Sequence, residues 1–143
     1  MRTSLVVLIL LWASAGALAE PAQVERGRKV YAQHCAACHG ANLQGEPGYP
    51  DWRKRKPNGR LPAPPHDESG HTWHHLDAQL FAMTKHGPAK LIGNPDYPTD
   101  MPGFSGVLSD SDIHAVLAFI KSTWTGKAKA FNDKINAQAG RQP

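Results

Sequence analysis

The sequence predicts a loop-rich fold built from short helices. Twelve prolines and 13 glycines in 143 residues interrupt the chain too often for a long regular bundle. Between these breaks, three segments carry apolar residues at the i, i+3, i+4 spacing of an amphipathic helix. The length is that of one domain, and the 41% hydrophobic and 20% charged fractions are ordinary for a globular protein.

The first 19 residues are predicted to be an export signal that lies outside the domain. After Arg2, Leu5–Trp12 is an unbroken apolar run, and Ala17–Ala19 has the small-x-small pattern of a cleavage site. About 20 apolar residues are needed to span a bilayer, so the short run disfavours the alternative of an uncleaved anchor. Cleavage after Ala19 would remove the charge of Arg2 and leave 15 basic against 12 acidic residues, a net charge of +3. We expect a periplasmic or otherwise exported protein without an integral membrane segment.

The three predicted helices span Val24 to Cys35, Asp77 to His86 and Ser109 to Thr125. Residues 20–23 are expected to fray, with the domain itself covering residues 20–126. The third helix is the clearest, because a capping-box pattern at its start precedes an apolar stripe. That stripe consists of Ile113, Val116, Leu117, Ile120 and Trp124. Residues 127–143 are expected to form a polar, alanine-rich tail with little apolar face, in which a frayed helix is possible.

Residues 40–70 are predicted to be irregular, because their many prolines forbid a continuous helix. The basic run Arg53-Lys54-Arg55-Lys56 lies in this loop. We interpret it as a solvated turn. A short run of charges without interleaved aromatic residues is weak evidence for nucleic-acid binding, which we do not expect.

The most informative motif is Cys35-Ala36-Ala37-Cys38-His39, a C-x-x-C-H sequence. Its spacing lets two thiols reach the vinyl groups of one porphyrin, and it holds the following histidine under the iron as a proximal ligand. A disulfide across two residues would stabilise little, and a zinc site usually has two such cysteine pairs. A thioredoxin-like pair would follow a strand, whereas this pair ends a predicted helix. The motif therefore predicts one covalently bound haem c per chain.

Met101 is the predicted sixth ligand of the iron. It lies in the loop Tyr97-Pro98-Thr99-Asp100-Met101-Pro102-Gly103-Phe104, where flanking prolines restrict the backbone. A thioether ligand favours the ferrous state and raises the reduction potential. Met83 lies inside a predicted helix, where a methionine is usually a core residue. His71 and His86 are the competing ligands, because imidazole also binds ferric iron.

From Val24 to Trp124 the chain resembles a class I cytochrome c of the small bacterial kind. The resemblance depends on Gly27 to Tyr31, on Cys35 to Gly40, on Met101 to Phe104 and on the helix that follows Leu108-Ser109-Asp110. It implies an all-α fold in which the first and last helices cross at Gly27, with Phe119 or a neighbour approaching closely. It also implies that the carbonyl of Pro50 accepts a hydrogen bond from His39, which would orient the ring and raise its basicity.

The long segment from Gly59 to His75 departs from the shortest members of that family. Its four histidines could form a copper or zinc site, but their irregular spacing favours a polar loop that covers the haem edge. These histidines are His66, His71, His74 and His75. We also place Trp52 at the cofactor, and we place Arg60, His71 and Trp73 near the propionates.

The predicted function is single-electron transfer between redox proteins, without enzymatic activity. The alternatives are a haem subunit docked permanently on an oxidase or dehydrogenase, and a haem protein with an open iron site for small ligands. A net charge of +3 favours a partner with an acidic docking face. We expect a monomer.

Overall fold

The computed structural model describes residues 15–141 of the chain, with side chains from residue 20 onwards. The apolar run Leu5–Trp12 of the predicted export signal lies outside the described residues. Within them the fold is all-α, as predicted, with no β-strand. Its six α-helices and their bounds are α1 Ala15–His34, α2 Ala36–His39, α3 Asp77–His86, α4 Pro88–Leu91, α5 Asp110–Ser122 and α6 Gly126–Ala139. A 3-10 turn spans Thr72–His74.

The crossing of α1 and α5 organises the core. Gly27 lies at the crossing, where a methyl group would overlap the backbone of Ala115 and lie 2.9 Å from the Cβ of Phe119. This confirms the close approach that the family resemblance implied. Helix α1 starts earlier than predicted, because residues 20–23 are helical and do not fray.

Helix α5 matches its predicted capping and its predicted buried face. The Ser109 hydroxyl accepts a hydrogen bond from the Asp112 amide at 3.1 Å, as a capping box requires. Asp112 also forms an ion pair with Arg26 at 2.8 Å, which joins the start of α5 to α1. The helix ends at Ser122, before the predicted end at Thr125. Its predicted stripe is buried: Ile113, Val116, Leu117, Ile120 and, just beyond the helix, Trp124.

The second predicted helix has the same bounds as α3. Asp77 is its first residue, and Leu76 occupies the N-cap position. Gly87 ends the helix with a positive φ of 81°, a conformation that favours glycine. The short helix α4 follows directly, between the second and third predicted helices. Four residues are too few for a periodic pattern to indicate a helix.

A closed loop between Glu46 and Ala63 is the long excursion of this chain. The Glu46 amide donates to the Ala63 carbonyl at 2.9 Å, and the Ala63 amide donates to the Glu46 carboxylate at 2.9 Å. The long segment predicted at Gly59–His75 overlaps only the end of this loop, because the chain returns to Glu46 by residue 63. We call residues 46–63 the strap loop.

The C-terminal segment contains a helix, which the sequence left open. Helix α6 spans Gly126–Ala139 and packs on the rest of the fold. Asn132 is fully buried, and its Nδ2 donates to the carbonyls of Trp73 at 3.1 Å and His75 at 2.9 Å. The helix thereby holds the segment around the 3-10 turn.

Among residues 15–141, no helix combines the length and the hydropathy that a membrane crossing requires.

Candidate functional site

The C-x-x-C-H motif forms a helical turn directly after α1. The amide of Cys35 still donates to Tyr31 in the α1 pattern, and the amide of His39 donates to the Cys35 carbonyl at 2.9 Å. Residues three apart on a helical turn share a face, so the turn presents Cys35 and Cys38 on the same side. The two cysteines form no disulfide with each other, and Cys38 is exposed. Burial raises the pKa of the Cys35 thiol to about 11, so this thiol is protonated at neutral pH.

His39 is held in one orientation by a backbone carbonyl. Its side chain is buried, and Nδ1 lies 2.8 Å from the carbonyl oxygen of Pro64. Nδ1 is therefore the protonated nitrogen, and the lone pair of Nε2 remains available for a metal. Burial lowers the pKa of His39 more strongly than the Pro64 hydrogen bond raises it, which keeps the ring neutral and able to act as a ligand.

The prediction that Pro50 supplies this carbonyl is wrong. Pro50 is exposed within the strap loop, and the chain reaches His39 only after that loop has closed. The strap loop precedes the proline that orients His39. For this reason Pro64 takes the role that the resemblance implied for Pro50.

His66 is a residue of this site that the sequence interpretation did not place beside the ligand. Its ring stacks on that of His39 with 4.0 Å between centroids and 22° between planes. Its Nδ1 lies 2.8 Å from the Thr72 hydroxyl, and burial holds the pKa of His66 well below its usual range. A neutral ring thus packs flat against His39 and restricts its rotation. The position of His66 just after Pro64-Pro65 was the available signal.

The Met101 loop is anchored to α3 on its C-terminal side. The amide of Phe104 donates to Thr84 at 3.0 Å, and that of Ser105 donates to Lys85 at 2.9 Å. Gly103 contacts Gly87 so closely that a methyl group at Gly87 would lie 3.0 Å from the Gly103 nitrogen. Met101 itself is half-buried.

Trp52 and His71 form a stacked pair, with ring centroids 4.4 Å apart and planes 10° apart. The Nδ1 of His71 is buried and has no hydrogen-bond partner among the described residues. A buried polar atom without a partner is uncommon, and a bound group or an ordered water accounts for such an atom.

Arg60 and Trp73 make other contacts in this structure. Arg60 forms an ion pair with Asp100, the residue before Met101. The Trp73 indole donates to the Gly70 carbonyl at 3.1 Å, and its ring contacts Phe131 of α6 edge-on at 5.6 Å between centroids. The structure therefore brings Trp52 to His71 and directs Trp73 towards α6.

The loop histidines are dispersed. His66 stacks on His39, whereas His71 contacts His75 edge-on at 5.2 Å between centroids and His74 lies against Trp73. Within residues 15–141, no group of three or more His, Cys, Asp or Glu side chains converges on a possible metal position.

The family model of cytochrome c matches residues 24–124, which is most of the chain. The chain belongs to the cytochrome c family. Neither a curated protein nor a solved structure matches it significantly. This cytochrome c therefore has haem c as its covalent cofactor, and the spacing of Cys35 and Cys38 is consistent with the attachment motif. Membership also makes it a haem-binding electron-transfer protein with redox-protein partners.

The residues of this cytochrome c fit a haem group in three respects. Two free thiols lie on one face of a turn, and the adjacent imidazole has Nε2 available. A soft thioether is provided by Met101 in a separate, anchored loop. The unpartnered Nδ1 of His71 is suited to donate to an anionic oxygen such as that of a propionate.

Proposed function

We propose that the mature protein is an exported carrier of single electrons with one haem. Cys35 and Cys38 form the thioethers, and His39 and Met101 are the axial ligands of the iron. The observation that carries the proposal is the Nδ1 of His39, held 2.8 Å from the Pro64 carbonyl directly after two free thiols. When bound, the haem supplies a one-electron couple between ferric and ferrous iron.

The protein's own groups keep that couple reversible. The Pro64 carbonyl and the His66 ring fix the orientation of His39, so the proximal side changes little with oxidation state. Met101 would occupy the opposite side of the haem and would leave no position for a small ligand, which distinguishes this proposal from the open-site alternative. His71, stacked on Trp52, would donate to a propionate through Nδ1, which has no other partner among the described residues.

Substitution of Met101 tests the proposed ligand set. The oxidised wild-type protein should display the weak long-wavelength band of sulfur-to-iron charge transfer. Met101→Ala should abolish this band, admit cyanide or carbon monoxide to the iron, and lower the reduction potential because the soft ligand is lost. Absorption spectroscopy and potentiometric titration provide the measurements.

Met83→Ala is the matched control, since Met83 lies within α3 and should leave the band and the potential unchanged. Mass spectrometry of each protein should give the mature chain plus one haem, and acid acetone should not extract the colour. A band that survives Met101→Ala would reject Met101 as the ligand, and extractable haem would reject covalent attachment.

We propose further that export removes residues 1–19. Support comes from the apolar run Leu5–Trp12 and the Ala17–Ala19 pattern. N-terminal sequencing of the exported protein should begin at Glu20. Recovery of Met1 on protein from the membrane fraction would favour an anchor.

A further inference from the structure

Lys56 differs from the other members of the basic run in its surroundings. Its side chain is only 10% exposed, whereas that of Arg53 is 76% exposed. The Nζ of Lys56 lies 3.0 Å from the Glu46 carboxylate and 2.9 Å from that of Asp100. One ammonium group thus joins two carboxylates that are far apart in sequence.

Glu46 belongs to the segment that orients His39. Its carboxylate accepts the Ala63 amide at 2.9 Å while it accepts Lys56. The next residue, Pro64, accepts the hydrogen bond of His39. Glu46, one of the two carboxylates that Lys56 contacts, is therefore hydrogen-bonded to the residue next to the carbonyl that orients His39.

Asp100 belongs to the segment that carries Met101. Among the described residues, only Asp100 connects residues 95–101 to another part of the chain by side-chain ion pairs. The other hydrogen bonds of residues 95–101 are made with each other or with residue 94. The Met101 amide, for example, donates to the Thr99 hydroxyl at 3.1 Å. The C-terminal side of the loop is anchored to α3 through Phe104, so Asp100 provides the corresponding anchor on the N-terminal side.

We infer that Lys56 is a positioning residue that links the two axial-ligand segments and holds the Met101 loop in place. This inference rests on the proposed ligation by Met101. The strap loop is then a structural link between the two sides of the haem, and its basic run is not only a solvated turn. Lys56 is shielded from solvent, so its ion pairs are less screened than those of an exposed lysine.

Lys56→Gln and the control Lys54→Gln test this link. Both remove one charge from the same run, and Lys54 is exposed. In the haem-loaded ferric protein at pH 7, Lys56→Gln should increase the rate of cyanide replacement of Met101 by about tenfold, as expected for loss of charged hydrogen bonds. Lys54→Gln should stay within about twofold of the wild type, as for an ordinary surface substitution. Lys56→Arg should restore a slow rate, because it keeps the charge and the donors.

A purely structural role would accelerate cyanide binding only in proportion to a lower thermal unfolding midpoint. The inference requires faster binding with an unchanged helical circular dichroism signal and midpoint. If Lys56→Gln yields no holoprotein, Asp100→Asn is compared with Arg60→Gln, because the first variant removes both ion pairs of Asp100 and the second removes only the pair with Arg60. Equal cyanide rates in the Lys56→Gln and Lys54→Gln variants would overturn the positioning role of Lys56 alone. A wild-type protein without the charge-transfer band would overturn both that role and the assignment of Met101 as a ligand.

Discussion

At the scale of single residues, Gly27 shows how one missing side chain sets the distance between two helices. The backbone of Ala115 and the Cβ of Phe119 occupy the space that a side chain would fill. Backbone atoms of a packed helix cannot move aside as the end of a flexible side chain can. The α1–α5 crossing therefore depends on glycine at this position.

Gly27→Ala should lower the free energy of unfolding by about 1–3 kcal/mol, the usual range for an overpacked core. Alanine favours a helix over glycine by about 1 kcal/mol, but this gain is smaller than the effect of overlap with the α5 backbone. Guanidinium unfolding of the haem-loaded protein measures the change, with an unchanged slope as evidence that only stability has altered.

Gly140→Ala is the control, because a methyl group there would lie 3.7 Å from the Asn136 carbonyl oxygen, an ordinary contact. A Gly27→Ala protein as stable as this control would mean that the helices can separate without loss.

Individual residues also show which roles could be predicted from the sequence and which could not. The spacing of Cys35 and Cys38 identifies a haem-attachment motif from five consecutive residues, and the family resemblance implied the helix crossing at Gly27. The choice between Pro50 and Pro64 could not be predicted, because both lie in one proline-rich segment and only the closure of the strap loop brings Pro64 to His39. Lys56 is likewise indistinguishable from its basic neighbours until its carboxylate partners are known.

At the scale of elements, α5 and α6 illustrate two ways in which a helix can pack. The buried face of α5 is a stripe of large apolar residues, which is the pattern that sequence analysis detects. The buried residues of α6 are Ala128 and Asn132, a small residue and a polar one. Hydrogen bonds to backbone carbonyls replace an apolar stripe there, so hydrophobic periodicity could not predict that the segment belongs to the fold.

Asn132→Ala should lower the free energy of unfolding by about 1–3 kcal/mol, because it leaves buried carbonyls without a donor. These are the carbonyls of Trp73 and His75, so the loss should also loosen the segment that holds His71. Thermal unfolding measures the first effect, and amide hydrogen exchange at residues 71–76 measures the second.

Lys134→Ala on the exposed side of α6 is the matched control, with an expected change within about 0.5 kcal/mol. Equal unfolding midpoints and equal exchange in the two variants would show that α6 does not support the histidine segment.

At the scale of the whole molecule, charge is distributed unevenly around the proposed redox centre. The full chain carries a net charge of +4. Arg53, Lys54 and Arg55 are exposed on the strap loop, and Lys56 of the same run contacts the residue before Met101. The exposed part of the basic run therefore lies close in the chain to a lysine that contacts the Met101 loop. A field of this kind concentrates anionic reactants near that loop.

Replacement of Arg53, Lys54 and Arg55 by Gln should slow oxidation of the ferrous protein by ferricyanide at low ionic strength and should not slow oxidation by a cationic cobalt complex. The control replaces Lys127, Lys129 and Lys134 of α6 by Gln, which lowers the net charge equally at another site. Local steering predicts a larger loss for the strap-loop variant, about threefold to tenfold, and convergence of all rates at high salt because exposed charges are screened beyond the Debye length. Stopped-flow measurement across a salt series gives these oxidation rates. Equal rate losses in the two variants would mean that net charge alone acts. A rate difference that persists at high salt would mean that the strap loop alters the haem environment and does not steer the reactant.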